Sequence, residues 1–326
     1  MAGALWGGLI LRELAKPDTV RGFDLGGTVA FVLGLTGLVL GVSRGGLSGW
    51  SDPIVIVGLV AAALLLPLWV VIESRVRAPM LDLGIFANRL FAAASAAAPI
   101  NGLARFALMF LFVFYFQGAQ GDDPITAGIK LIPLAAGMLV ASPLAGYYAD
   151  RHGSRELAAV GMLVSGIGLA LMTTLQVHSP LWQSALWLTL VGIGSGMFNS
   201  PNTAAVMGTV PAKRRGIAAG ARTLLQNTGA VLSIAFVLAI VTVAVPKPTL
   251  FAIFSGLTKG LSDQKLAPFI ANMHAALWVL AATSLVGVGV CLLRPRSESP
   301  PGTERPAAST SATGPASVDD RVAQPV

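Results

Sequence analysis

An all-α, polytopic integral membrane protein is the fold class this sequence predicts, on three observations. Only 11% of its 326 residues are charged, 54% are hydrophobic and the mean hydropathy is +0.74; a soluble domain is about a quarter charged. Eight stretches are long and apolar enough to cross a bilayer as a helix, which takes about 20 residues. Basic residues crowd every second loop between them, as the positive-inside rule requires. The spans fall near 24–43, 53–73, 90–117, 125–149, 157–175, 181–207, 217–245 and 270–293. In lipid, backbone polar groups must pair within a helix or a closed barrel. Barrel strands are short and alternate strictly; these runs are long and do not alternate, so helices are predicted.

The loops set the orientation. Arg12, Lys16 and Arg21 precede the first span, and Arg44 stands alone in the first loop. The second loop has Arg75, Arg77 and Arg89, the third ("GAQGDD") has no Lys or Arg, and the fourth has Arg151 and Arg155. The fifth, around His178, has none, and the sixth has Lys213, Arg214 and Arg215, with Arg222 just beyond. The rich loops read as cytoplasmic, which places the chain in the cell membrane (inner or plasma) with both termini inside. The seventh loop, 246–269, breaks the pattern with Lys247, Lys259 and Lys265 on the external side. Residues 1–23 read as a cytoplasmic lead-in, 24–73 as two spans and 74–293 as a six-span bundle. Residues 294–326, rich in Pro, Ser, Thr and Ala, read as a disordered cytoplasmic tail, because such a composition cannot bury a core.

The net charge of +7 does not point to nucleic acid. The basic residues sit in short clusters between apolar runs, suited to loops and anionic lipid head groups, rather than in a dense patch on a polar surface. Cys291 is the single cysteine, so neither a disulfide nor a cysteine metal site is available. No HExxH motif, P-loop or pair of intramembrane acids suggests an enzyme. The opening "MAGALWGGLILREL" lacks the basic start of a signal peptide and reads as the end of a helix. Glycine and alanine crowd spans such as "GMLVSGIGLALM" and "GIGSGMFNSP". Their spacing suits close helix packing or the sliding of one bundle on another.

One charged hairpin interrupts the apolar chain at "AGYYADRHGSRELAAVG", residues 145–161. Gly146 ends one helix with little bulk, and Asp150 is placed to cap the next helix or pair with an arginine. Gly153 permits the positive backbone angle of a tight turn, and Arg151 and Arg155 hold the turn on the cytoplasmic side. Two roles fit: a turn that only fixes topology, or a latch whose bonds form in one conformation and break in another.

"GYYADRHGSR" resembles the loop signature of the major facilitator superfamily, matched by Gly146, Asp150, Arg151, Gly153 and Arg155. Tyr148 stands where an aliphatic residue is usual and Ser154 where a basic one is. "RGFDLGGTVAFVLGLTGLVLGVSRGGLSGW", "ESRVRAPMLDLGIF", "YFQGAQGDDPITAGIKLIPLAAGMLVASPLAG" and "GIGSGMFNSPNTAAVMGTVPAKRRGIAAGARTLLQNTGAVL" are similar, in order, to signatures of its fourteen-helix drug:proton antiporter branch. The resemblance implies that 24–73 are the two linking helices and 74–293 the C-terminal six-helix bundle. Met1 to Leu14 would then be the end of a sixth helix. It also implies a proton-coupled multidrug or small-molecule efflux antiporter, with the proton gradient as coupling ion and no cofactor. The first six helices, which carry most of the family's proton-coupling carboxylates, would come from a separate or preceding N-terminal half. Consistent with that, Asp24, Glu73 and Asp150 all fall at span ends, and His274 near the start of the last span is the one other titratable candidate.

Candidate cavity residues are Asn101, Arg105 and Gln117 in the third span, Asn199 and Asn202 in "FNSPNT" of the sixth, and Gln226 in the seventh. Arg105 is the sharpest, since a charge near the bilayer centre faces a cavity or a partner; Asn101 lies one turn earlier on its face. Arg222 and Lys130 are near enough to span ends to snorkel to water. Phe106, Phe110, Phe112, Phe114, Tyr115 and Phe116 suit either packing or stacking and cation–π contact with an apolar cationic, amphipathic ligand. Two functions follow: the C-terminal portion of an efflux carrier, or a non-transporting scaffold or half-transporter subunit that needs an N-terminal partner.

Overall fold

Runs of apolar residues with no water to satisfy their backbones can only close their hydrogen bonds along the chain. The computed structural model describes residues 24–76, 83–211, 214–241, 245–254 and 263–295, and the regular structure among them is helical. The elements are α1 (Leu25–Ser48), α2 (Pro53–Arg75), α3 (Arg89–Phe114), α4 (Pro124–Lys130), α5 (Ile132–His152), α6 (Ser154–Met172), α7 (Leu181–Gly208), α8 (Arg215–Val241), α9 (Lys247–Phe254) and α10 (Asp263–Leu292). A 3₁₀ turn at Leu83–Ala87 leads into α3, and a π turn at Tyr115–Ala119 extends it. Eight of these segments are long and apolar enough to span a membrane, and all eight predicted spans are among them.

Local chemistry sets the starts. Asp24, Asp52, Asn88 and Asp123 each accept backbone N–H groups of the first turn of α1, α2, α3 and α4, so four helix entries have an Asx cap. Pro53 and Pro124 sit at first helical positions, where a missing N–H leaves no bond unmade. The fourth span is two pieces, broken at Leu131, because Pro133 has no N–H for the carbonyl one turn back.

The helices assemble as a chain of neighbours. α5 packs on α7, α7 on α6, α6 on α10, and α10 and α8 on α3; the α1–α2 hairpin joins through α1 to α8. Small residues bring the axes close, as expected. A methyl group on Gly161 would lie 2.7 Å from the Gly194 carbonyl oxygen, and one on Gly102 2.7 Å from that of Gln226. The aromatic run of α3 goes into the core: Phe112, Tyr115 and Phe116 are fully buried, with Phe112 and Phe116 edge-to-face at 5.7 Å. They serve packing.

Three expectations need correction. The last span begins at Asp263, not 270, because a polar first two turns continue the helix beyond its apolar stretch. Residues 246–269 therefore hold less loop than the sequence suggested, and Lys247–Phe254 is itself a short helix. Arg294 is not part of a solvated tail: it is 1% exposed, packed under the bundle. Residues 1–23 and 296–326, read as lead-in and tail, lie outside the described residues.

Candidate functional site: a polar chain across the bundle

Helix geometry puts Arg105 sixteen residues into α3, about 24 Å along its axis and so near mid-depth. Its side chain is half-buried. Nη1 donates to the Met138 sulfur on α5 at 3.5 Å, and the guanidinium carbon stands 4.6 Å from the Phe106 ring centre. The Nε–H is buried with no hydrogen-bond partner. One turn earlier Asn101 is 1% exposed. Its Nδ2 points at the Met162 sulfur on α6, 3.6 Å away, and its Oδ1 accepts from Asn199 Nδ2 on α7 at 3.4 Å. Asn199 Oδ1 in turn accepts from Arg222 Nη2 on α8 at 3.0 Å. A continuous polar chain, Arg222–Asn199–Asn101–Met162, thus links α8, α7, α3 and α6, with Arg105 beside it.

Pro201 lies between the two asparagines of α7. Beyond it, the fully buried Asn202 accepts from Arg294 Nη2 at 2.5 Å. Asn199 and Asn202 are three residues apart and so lie on neighbouring faces of α7. Each therefore takes a guanidinium from a different part of the chain. Among the described residues, no carboxylate pairs with Arg105, Arg222 or Arg294; the ion pairs there are Arg44–Asp52, Lys130–Asp122 and His178–Asp263.

The other candidates fall apart from this centre. Gln117 sits in the π turn, about 18 Å further along the axis from Arg105, half-buried and without a hydrogen bond among the described residues. Gln226 contributes its backbone carbonyl to the contact with Gly102, and its half-buried amide makes no described bond. Arg222 does not snorkel to water; an acceptor on α7 is within reach and holds it inside. Lys130 does not snorkel freely either. It pairs with Asp122, donates to Gln120 Oε1 at 3.0 Å and lies 5.3 Å from the Phe116 ring centre. His274 bonds the Leu175 carbonyl oxygen at 2.7 Å, a structural role in a span that starts eleven residues before it.

The charged hairpin departs from expectation in part. Gly153 has φ +93°, the left-handed conformation predicted for it. Gly146 does not end a helix: α5 runs on to His152, and a methyl group at Gly146 would lie 2.8 Å from Ser200 Oγ on α7, so the glycine serves helix approach. Asp150 is exposed and neither caps α6 nor pairs with an arginine, because Gly153 occupies the cap position and Arg151 lies over Tyr147 at 4.2 Å. Arg155 makes a long-range bond, Nη2 to the Leu292 carbonyl oxygen at 2.5 Å. It ties the turn to the C-terminal end of α10, where a cation suits the exposed carbonyls.

The pairings of Arg222 and Arg294 were not visible in the sequence. Each arginine was near a span end, and only the folded bundle shows the two α7 asparagines waiting opposite.

A model of the Major Facilitator Superfamily matches residues 94–322, more than half of the chain. An uncharacterised MFS-type transporter, YhcA of Bacillus subtilis, is 30% identical over 63% of this chain and 38% of its own length. The tetracenomycin C resistance and export protein of Streptomyces glaucescens is 28% identical over 71% of this chain and 43% of its own. Multidrug resistance protein Stp of Mycobacterium tuberculosis is 31% identical over 67% of this chain and 40% of its own. The chain thus spans about two fifths of the length of these curated relatives. With its family model matched across helices α3 to α10, the chain belongs to the major facilitator superfamily, the group its hairpin and loop motifs resemble.

Proposed function

We propose that this chain forms one lobe of a small-molecule efflux carrier that works by alternating access, the rocking of two lobes about a central cavity. The observation that carries the reading is the polar chain of Arg222, Asn199 and Asn101, with Arg105 beside it. It joins several spans at mid-depth in a bundle that is otherwise apolar, where polar groups are expensive and mark a pathway. The export and resistance activities named for the relatives support the direction of transport and an amphipathic drug-like substrate. Coupling to protons then belongs to a facing six-helix lobe, since no Asp or Glu joins the polar chain among the described residues.

In this reading the hairpin end faces the cytoplasm, with both termini there, as the loop charges favour. The Arg155–Leu292 bond is the fastening that must break and reform as the lobe tilts. Efflux of two dyes, the cation ethidium and the anion fluorescein, from cells that express the chain with and without an N-terminal six-helix lobe tests the proposal. Export of either dye is expected only with both lobes; export by the chain alone overturns the need for a second lobe, and export of neither dye by the pair favours a non-transporting scaffold. Orientation is checked by single cysteines in a Cys291→Ser background. Gln120→Cys should react with an impermeant reagent outside intact cells, and Arg151→Cys should not.

A further inference from the structure

Arg105 and Arg222, both half-buried, have no acidic partner among the described residues. Lys130 has Asp122, and Arg44 has Asp52. The fully buried Arg294 likewise has one amide oxygen, that of Asn202 at 2.5 Å, and leaves Nε and Nη1 without an acceptor, but its site is sealed at 1% exposure. Arg105, by contrast, meets a thioether and an aromatic face, and Arg222 meets a single amide oxygen. Both keep a buried Nε–H with no acceptor. Both are only half-buried, unlike the sealed Arg294. Of the described acids, Asp24 and Asp123 cap helices, Asp52 pairs with Arg44 and Asp122 with Lys130, Asp263 contacts His178, Glu73 bonds Trp69, and Asp150 and Glu156 are exposed. Arg105 stands one turn from Asn101 on α3, and Asn101 is joined through Asn199 to Arg222, so the two like charges flank one polar chain and suit a single anion.

We infer that Arg105 and Arg222 bind the acidic group of an anionic amphipathic small molecule, with Asn199 holding Arg222 in position and Phe106 flanking the ligand's apolar part. The substrate class is therefore an aryl or alkyl carboxylate rather than an organic cation. Planar guanidinium groups suit this, since their paired N–H donors match the two oxygens of a carboxylate. A cation in the same place would meet two like charges. The inference rests on the carrier reading and sharpens it.

The test is thermal unfolding of the purified full chain in detergent against three probes of one shape: 2-naphthoate, 2-naphthylmethanol and 2-naphthylmethylammonium. Saturable stabilisation by 2-naphthoate alone is expected. Arg105→Gln and Arg222→Gln should each weaken its apparent Kd at least about tenfold, equivalent to about 1.4 kcal/mol. Arg105→Lys should restore part of the affinity, which a purely structural role would not do. Equal shifts from all three probes, a stronger shift from the ammonium, or no saturable binding of naphthoate overturns the inference. A naphthoate shift unchanged in both Gln variants would be detergent partitioning and overturns it too. Ethidium export by the paired lobes without naphthoate binding would defeat this inference and leave the carrier standing; naphthoate binding without export by the pair would do the opposite.

Discussion

At the Gln120 end of the bundle, Lys130 pairs with Asp122, donates to Gln120 and lies over Phe116, while Tyr115 Oη donates to the Gln176 carbonyl oxygen at 2.7 Å. At mid-depth, Arg105 has a sulfur atom and a ring. The first region surrounds its cation with acceptors and ties the end of α3 to α4 and to the loop after α6. The second leaves a more deeply placed cation underpaired. Pairing a half-buried charge stabilises a fold, because the interaction offsets lost hydration. An underpaired charge in lipid is retained for another reason, and function is the usual one. The comparison separates residues that hold the bundle together from residues that wait for something to bind.

The largest expected effect comes from removing the acceptor on which the mid-depth arrangement depends. Asn199→Leu strips Arg222 of its hydrogen bond and Asn101 of its α7 partner. A lost bond to a buried charged group costs about 2–3 kcal/mol, so the variant should unfold at a clearly lower temperature in detergent. A stability equal to the parent's would mean that Arg222 finds water or another acceptor, and that the polar chain is not a unit.

Lys130→Met sharpens the contrast from the other side. The pair with Asp122 is 17% exposed on each side, between the surface and the interior. Its loss should cost about 1–2 kcal/mol, between the values typical of exposed and of fully buried pairs. Export by the assembled carrier should be nearly unchanged. Arg105→Met should do the reverse. Removing an underpaired cation from mid-depth relieves part of its burial penalty, so stability should hold or rise by about 1 kcal/mol, while export falls. If Arg105→Met destabilises as much as Lys130→Met does, the two regions do not differ in kind.

The difference between these regions was only partly legible in the sequence. Apolar runs locate spans because lipid admits little else, and the eight predicted spans stand. The start of α10 was missed because Asp263, Gln264, Lys265 and Pro268 depress its hydropathy although its helical bonds continue. The isolation of Arg105 was readable as a depth, since sixteen helical residues fix it. Its partners were not, because Met138 is 33 residues away and only the packing of α5 brings it near. Arg294 was misassigned for a related reason: composition says polar tail after 293, whereas a guanidinium with an amide opposite can be buried like a large side chain. Aspartate caps belong to local chemistry, and the spacing of Asp123 before Pro124 and Thr126 would have shown one.

That cap supplies the smallest and cleanest test at the Gln120 end. The Thr126 hydroxyl, then the backbone N–H of Thr126, hold the Asp123 carboxyl below the usual carboxylate range, with the N–H of Ile125 adding to this. Because its folded value is depressed, the charged carboxylate contributes stability that is present above the ordinary carboxylate pKa and is lost as pH falls through the folded value. Asp123→Asn keeps a good capping oxygen but carries no charge to favour the helix N-terminus. The parent should therefore melt slightly above Asp123→Asn at pH 7, and the gap should begin to shrink below about pH 4 and close only below the depressed folded value. Lys130→Met should show its full loss at pH 7 whichever residue stands at 123, since the ion pair it removes runs to Asp122. A gap between parent and Asp123→Asn that persists unchanged into acid would assign the cap to hydrogen-bond geometry alone. The stability of this end would then rest on the Lys130 pair and the Tyr115 bond rather than on charge at the start of α4.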